Sequence, residues 1–311
     1  LDVIDSLQFE EMLCTGENRR PSDGQVPHQI VWVQCAGSRD PQFHRPYCSK
    51  ICCMIVAKQA IAYRRAIPAG QAYVFYIDIR SQGRGYDEFV QRAMGEYGVV
   101  YLRGKASRIV APPCPPPQAG GETEGSRLEV WGADTLSGRA LRVPADLVVL
   151  AMAAVPGDGS DALGRLMHVA TDESGFFAEA HPKLRPVETN TEGVFLAGAA
   201  QGPKDVPDTV AHAGAAASMA LALLDKGEVT ISPATAVVDE KLCSACKTCI
   251  ALCPYTAISF VEADNVARVN EALCKGCGTC VAACPAGAIT ARHFTDEQIM
   301  AQIEALLRVP A

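Results

Sequence analysis

Eight cysteines near the C-terminus constrain this chain more than any other feature. Cys243, Cys246, Cys249 and Cys253, followed by Pro254, recur as Cys274, Cys277, Cys280 and Cys284, followed by Pro285. Both runs read C-x2-C-x2-C-x3-C-P and lie 31 residues apart. A repeat at fixed period marks two copies of one structural unit. The chain holds 14 cysteines, most of them tightly grouped. Tight grouping favours metal binding in a reducing cytoplasm over a disulfide framework.

This spacing is the bacterial ferredoxin run, in which three thiolates hold one [4Fe–4S] cluster and the fourth ligates the other. It assigns Cys243, Cys246, Cys249 and Cys284 to one cluster, and Cys274, Cys277, Cys280 and Cys253 to a second. Small intervening residues (Ser244, Ala245, Gly276, Gly278) let backbone N–H groups approach the sulfides. The competing reading is a zinc ribbon, which needs only two C-x2-C pairs. Eight cysteines with duplicated prolines exceed that need. The pattern therefore predicts an α+β 2[4Fe–4S] ferredoxin domain at 231–291, with a terminal helix, Thr295 to Leu307, in 292–311.

Upstream, the pattern alternates strand and helix as a parallel α/β domain does. A helix is expected from Ser6 to Leu13, then a polar linker from Thr15 to Pro27. Strands are expected at Gln29–Gln34, Ala72–Ile79 and Val99–Gly104, with helices at about Pro46–Arg65 and Tyr86–Tyr97. Residues 112–126, rich in Pro, Gly and Glu, predict a surface loop. A hairpin of Leu128–Trp131 and Ala140–Val143 follows, then a buried strand at Asp146–Met152. Val194–Ala197 reads as a short strand before a helix starting near Asp208, and a break falls at about 227–234.

A second cysteine group comprises Cys35, Cys48, Cys52 and Cys53. The first ends a strand; the others are expected to open a helix set by Pro46, with Cys48 and Cys52 on one face. From the residues alone three readings stand: buried structural thiols, a redox-active disulfide, or a further cluster site. Cys14 and Cys114 have no partners in spacing and read as structural thiols.

The runs Q-C-A-G-S-R-D at 34–40, P-Y-C-S-K-I-C-C at 46–53, A-K-Q-A at 57–60 and G-V-F-L-A-G-A-A-Q-G-P-K-D-V-P-D-T-V at 193–210 resemble the A subunit of heterodisulfide reductase. The resemblance implies the C-terminal half of a thioredoxin-reductase-like flavoprotein with two dinucleotide-binding domains. It also implies an extra [4Fe–4S] cluster on Cys35, Cys48, Cys52 and Cys53. Residues 1–27 would end the first half of the FAD domain. Residues 28–145 would form a nicotinamide-domain-like unit carrying the extra cluster, and 146–230 would return to the FAD domain. FAD contacts are expected from Gly198, Ala199, Gln201, Lys204, Asp208, Thr209 and Val210. Ala199 stands where disulfide-reductase flavoproteins carry Asp. Lys58, a lone cation in an apolar stretch, is a candidate for the flavin N5 or a snorkelling surface lysine.

No G-x-G-x-x-G follows a strand, and Gly83-Arg84-Gly85 lacks the third glycine. The FAD pyrophosphate fingerprint is therefore expected upstream of Leu1 or on another chain, and the sequence reads as part of a longer polypeptide. The formal charge of −7 argues against nucleic acid as a partner. No apolar run reaches the length of a membrane span. The expectation is a cytoplasmic oxidoreductase component. It would relay or bifurcate electrons between FAD and clusters, with partners among heterodisulfide-reductase-like, hydrogenase or dehydrogenase subunits and ferredoxin. The alternatives are a flavin-free polyferredoxin-type carrier and an NAD(P)H-dependent disulfide reductase; the missing glycines and C-x-x-C count against the latter.

Overall fold

In a near-continuous apolar run of the chain, Ile30 to Val33, every residue is buried, as expected of a strand covered on both faces. That strand is central to the first of two compact units. The structure is a computed structural model and describes residues 2–43, 45–111, 128–225 and 233–307. The loop expected at 112–126 and Cys114 lie outside the described residues, as does most of the break expected at 227–234.

The first unit comprises Leu1–Ser160, Thr171–Phe177 and Ala197–Ala213. Its elements are β1 (Val3–Asp5), α1 (Ser6–Thr15), β2 (Gln29–Ala36), α2 (Cys52–Ala66), β3 (Gln71–Tyr76), α3 (Tyr86–Gly95) and β4 (Val100–Arg103). They are followed by β5 (Ala106–Val110), β6 (Leu128–Asp134), β7 (Arg139–Ala145) and β8 (Leu147–Met152). Five strands form one parallel sheet in the order β1-β8-β2-β3-β4. Strands β5, β6 and β7 form an antiparallel sheet.

The two faces of β2 are covered differently. Ile30 and Trp32 pack in one apolar cluster with Val56, Ala60 and Tyr63 of α2 and Phe9 of α1. Val31 and Val33 pack in another with Leu128, Val130 and Val143 of the antiparallel sheet. Trp32 is fully buried, edge-on to Phe9 at 5.4 Å and to Tyr63 at 5.9 Å. Its indole N–H donates to Gln59 Oε1 at 3.3 Å, and Gln59 Nε2 donates to the Ser6 carbonyl at 2.7 Å, so the buried polar atoms are satisfied. Asp5 caps α1 with a capping box to Gln8.

Strand β8 lies between β1 and β2, hydrogen-bonded to both. The stretch 1–27 contributes β1 to the same sheet, a strand too short to show alternation in sequence. Burial of the apolar β8 between two parallel neighbours is the physical reason for its place.

The second unit comprises Asp161–Ala170, Ala178–Leu196 and Gly214–Ala311. Next along the chain come helices α4 (Ser160–Met167) and α5 (Val206–Asp225). The cysteine module adds β9 (Ala236–Val238), α6 (Thr248–Leu252), β10 (Ile258–Val261), β11 (Val266–Val269), α7 (Thr279–Ala283), β12 (Ile289–Ala291) and α8 (Asp296–Leu307). The sequence repeat is a structural one. The pair Ile258↔Val269 in β10-β11 maps onto Ile289↔Val238 in β12-β9 under the 31-residue shift, and α6 maps onto α7. No described helix is long and apolar enough to cross a membrane.

Candidate functional site

Each cysteine run begins in a loop and ends at the C-terminus of a short helix. Left-handed backbone at Ala245 and Lys247 in the first run, and at Gly276 and Gly278 in the second, turns the chain sharply between cysteines. Glycine accepts this conformation freely, and other residues do so at a cost. At Gly276 a side chain is also excluded by space, since a Cβ there would stand 2.5 Å from the Ala234 carbonyl oxygen.

The loops ring two small cavities of about 20 Å³ each. The first is walled by Cys243, Cys246, Cys249 and Cys284. The second is walled by Cys253, Cys274, Cys277 and Cys280. The fourth cysteine of each run thus faces the cavity of the other run. Backbone amides of Ala236, Ala257 and Ala288 donate to the sulfurs of Cys274, Cys253 and Cys284 at 3.3–3.4 Å. Such bonds favour thiolate. Burial, and then the neighbouring thiols, push Cys249 and Cys280 upward, whereas hydrogen bonds from Thr248 hold Cys246 down. Among the described residues, no three His, Cys, Asp or Glu close on one point as ligands of a single metal ion would. The eight thiols instead ring two spaces, a donor set and shape that fit [4Fe–4S] clusters.

In the second cysteine group, Cys35, Cys52 and Cys53 gather differently. Cys35 lies at the C-terminal end of β2, where the ladder to β8 shifts register between Val33 and Ala36 and Cys35 takes φ 58°. Regular alternation would put Cys35 on the face of Val31 and Val33, toward the antiparallel sheet. The bulge sends its thiol instead to Cys52, at the start of α2. Cys52 is hydrogen-bonded to both Cys35 and Cys53. Cys53 also bonds Gln34 Oε1 at 3.4 Å and the Asp78 carbonyl at 3.6 Å. The site therefore sits at the C-terminal edge of the parallel strands, where open α/β sheets place ligands.

The helix expected from Pro46 starts at Cys52, so Cys48 does not share a helical face with it. Residues 47–51 form a loop in which Lys50 has φ 63° and donates its N–H to Cys48 Sγ at 3.3 Å. Tertiary contacts hold this loop out of the helix. The Tyr47 hydroxyl donates to the Ala154 carbonyl at 2.9 Å, and buried Ser49 accepts from the Ala154 N–H at 3.0 Å. Between Cys35 and Cys48 the chain folds back on itself, with Arg39 N–H donating to the Tyr47 carbonyl.

Cations surround these thiols. The hydrogen bond from Cys52, helped by Arg39 and Lys105, lowers Cys35 to about 7. Cys53 is lowered chiefly by Cys52 and further by the Arg80 backbone, while Cys52, holding the shared proton, is raised. Arg39 is itself anchored to Asp78 at 2.7 Å. The buried side-chain nitrogen of Gln34 has no hydrogen-bond partner among the described residues. It is a donor left over for an anionic group beside Cys53. Thiolate-favouring cations and a spare donor fit a cluster at this position.

Sequence reasoning overlooked Arg39, Lys50, Asp78 and Arg80. The signal was present as charges in short loops between cysteines or just past an apolar strand.

The segment 198–210 meets this site through Lys50, which forms an ion pair with Asp208. Gly198 and Ala199 open a 3-10 turn, Gly198–Ala200, rather than following a strand; residue 195 makes only an isolated bridge to Glu188. Gly198 has φ 62°, donates to His212 Nδ1 at 3.0 Å, and leaves no room for a Cβ, which would stand 2.9 Å from Thr209. Lys204 donates to Gln201 at 2.9 Å. Helix α5 starts at Val206, with Asp205 accepting from the Asp208 and Thr209 amides, and Val210 is exposed. Lys58, for which the sequence left a flavin contact and a snorkelling surface lysine open, is 59% exposed and ion-paired with Glu10 of α1. Its α2 position faces α1, where water solvates it.

The profile of the 4Fe-4S dicluster domain matches residues 236–291. The second of the iron–sulfur A subunits of CoB–CoM heterodisulfide reductase in Methanopyrus kandleri is 45% identical over 100% of this chain and 47% of its own length. The A subunit of the H2:CoB–CoM heterodisulfide,ferredoxin reductase of Methanothermobacter marburgensis is 44% identical over 100% of this chain and 46% of its own. A thioredoxin reductase structure from T. acidophilum aligns with a TM-score of 0.43 at 13% identity, over 73% of this chain and 58% of that one. The chain spans about half the length of the curated relatives it matches. With its whole length matched at this identity, the chain belongs to the family of heterodisulfide reductase A subunits.

Proposed function

We propose that this chain is the electron-relaying portion of a cytoplasmic iron–sulfur flavoprotein within a heterodisulfide-reductase-type complex. The observation that carries the reading is the pair of cavities, each ringed by four thiols with the fourth cysteine exchanged between runs. When bound, [4Fe–4S] clusters take up and release single electrons.

The residues supply position and charge. Cys243, Cys246, Cys249 and Cys284 hold one cluster, and Cys274, Cys277, Cys280 and Cys253 the second. Cys35, Cys48, Cys52 and Cys53 hold a third, with Arg39 and Lys105 offsetting its negative charge. FAD is the further cofactor. Gly198, Ala199, Gln201, Lys204, Asp208, Thr209 and Val210 form its seat, beside the third centre through the Lys50–Asp208 ion pair. Other subunits of such a complex, and ferredoxin, are the partners proposed from the relatives' names.

The test is quantification of iron and acid-labile sulfide in anaerobically purified protein. About twelve irons per chain supports three clusters, and about eight supports the ferredoxin pair alone. Colourless protein that lacks labile sulfide would overturn the proposal.

A further inference from the structure

The two halves of the cysteine module differ electrically. Between the first and second cysteines, the first run has Ser244 and the second has Lys275. The Lys275 side chain is only 21% exposed, and its ammonium pairs with Glu192 at 2.8 Å. Lys275 belongs to the wall of the cavity ringed by Cys253, Cys274, Cys277 and Cys280; Glu192 does not. Glu192 thus holds the cation in place on the residue that follows Cys274, one of the thiols of that cavity. The first cavity has Lys247 in its wall. That ammonium lies over the Phe260 ring at 3.9 Å and pairs with Glu262 at 3.3 Å, on a side chain 53% exposed.

A charge half in water is screened, whereas one largely withdrawn from water acts through a lower effective dielectric. We propose that Lys275, oriented by Glu192, raises the reduction potential of the second centre above that of the first. This rests on the cluster reading above. Reduction adds one electron to a centre and changes no bond to the protein. A fixed cation nearby favours that extra negative charge, and Glu192 moderates it. An electron shared between the two centres then resides on the one held by Cys274, Cys277, Cys280 and Cys253.

The experiment is a redox titration of the whole protein, with its clusters in place, followed by electron paramagnetic resonance. Lys275→Gln lowers one ferredoxin-type midpoint and draws the two together. Glu192→Gln, which leaves the ammonium unopposed, raises that same midpoint and spreads them. Lys275→Arg keeps the wild-type separation, and Lys247→Gln moves the other midpoint by less. Opposite signs for the first two variants would not arise from a merely structural ion pair, whose loss shifts both variants the same way. Equal signs, or unmoved midpoints, overturn the proposal. Wild-type protein without paramagnetic signals on reduction would instead overturn the underlying cluster reading. If Lys275→Gln fails to hold its second cluster, the sign of the Glu192→Gln shift still decides.

Discussion

The two cysteine constellations are assembled by different routes. In the C-terminal module, local turns bring six of the eight thiols together, three to a cavity within each run, and the internal repeat supplies the exchanged fourth. In the first unit, Cys35 ends a strand, Cys48 sits in a pinned loop, and Cys52 and Cys53 start a helix. Nothing local brings Cys35 to Cys52 and Cys53; a sheet, a bulge and a packed helix do. The first kind of site is written in spacing, and the second depends on a folded core around it.

The sharpest way to break that comparison is to disturb the core without touching a cysteine. Trp32→Ala removes a fully buried ring between α1, β2 and α2 and should destabilise the first unit by about 3–5 kcal/mol. Chemical denaturation would measure it. If site formation depends on packing, about four irons are lost while the ferredoxin-type signals persist. Equal loss from both regions would show that they are not independent.

Next in size is Gly276→Ala, which places a Cβ 2.5 Å from the Ala234 carbonyl at φ 63°. It should cost roughly 1–3 kcal/mol and deplete the second cluster selectively. The repeat-related Ala245→Gly relieves a left-handed alanine and should stabilise the first half by up to about 1 kcal/mol. Thermal unfolding of the holo-protein compares the two. Cys253→Ala sharpens the exchange itself. It should remove the second cluster, leaving the first run's three cysteines and Cys284 loaded, with about four irons lost.

The smallest effect concerns the Lys58–Glu10 pair, which ties α1 to α2 on the exposed side. Lys58→Ala should cost only about 0.2–1 kcal/mol. Glu10 is held below its ordinary value, foremost by the hydrogen bond from Lys58. A carboxylate lowered by folding contributes stability above its unfolded pKa, and that contribution fades as pH falls through the folded value. The variant should thus flatten the acid limb of stability slightly and leave neutral-pH iron content unchanged. Comparing urea midpoints at neutral and acidic pH checks this.

Much of the chain was legible in advance for a physical reason. Buried strands and amphipathic helices carry their own period, so β2, β3, β6, α3 and α8 lie close to where pattern placed them. The α/β class followed by a dicluster module is what the structure shows. Strand β1 was too short to read, and β5 fell between louder signals. The placement of β8 between β1 and β2 is a long-range pairing that no window of sequence contains.

By itself the sequence determined the two ferredoxin-type cavities, because two-residue spacing confines three thiols to one turn of backbone and a 31-residue repeat makes the fourth reciprocal. Only the tertiary structure decided where Cys35 points. Alternation along β2 sends it toward the antiparallel sheet. A left-handed residue at a register shift, held between β8 and α2, turns it to Cys52 instead. Tertiary structure also decided the state of Lys58, because burial depends on what packs above a helix face, and α1 brings a carboxylate there and leaves water beside it.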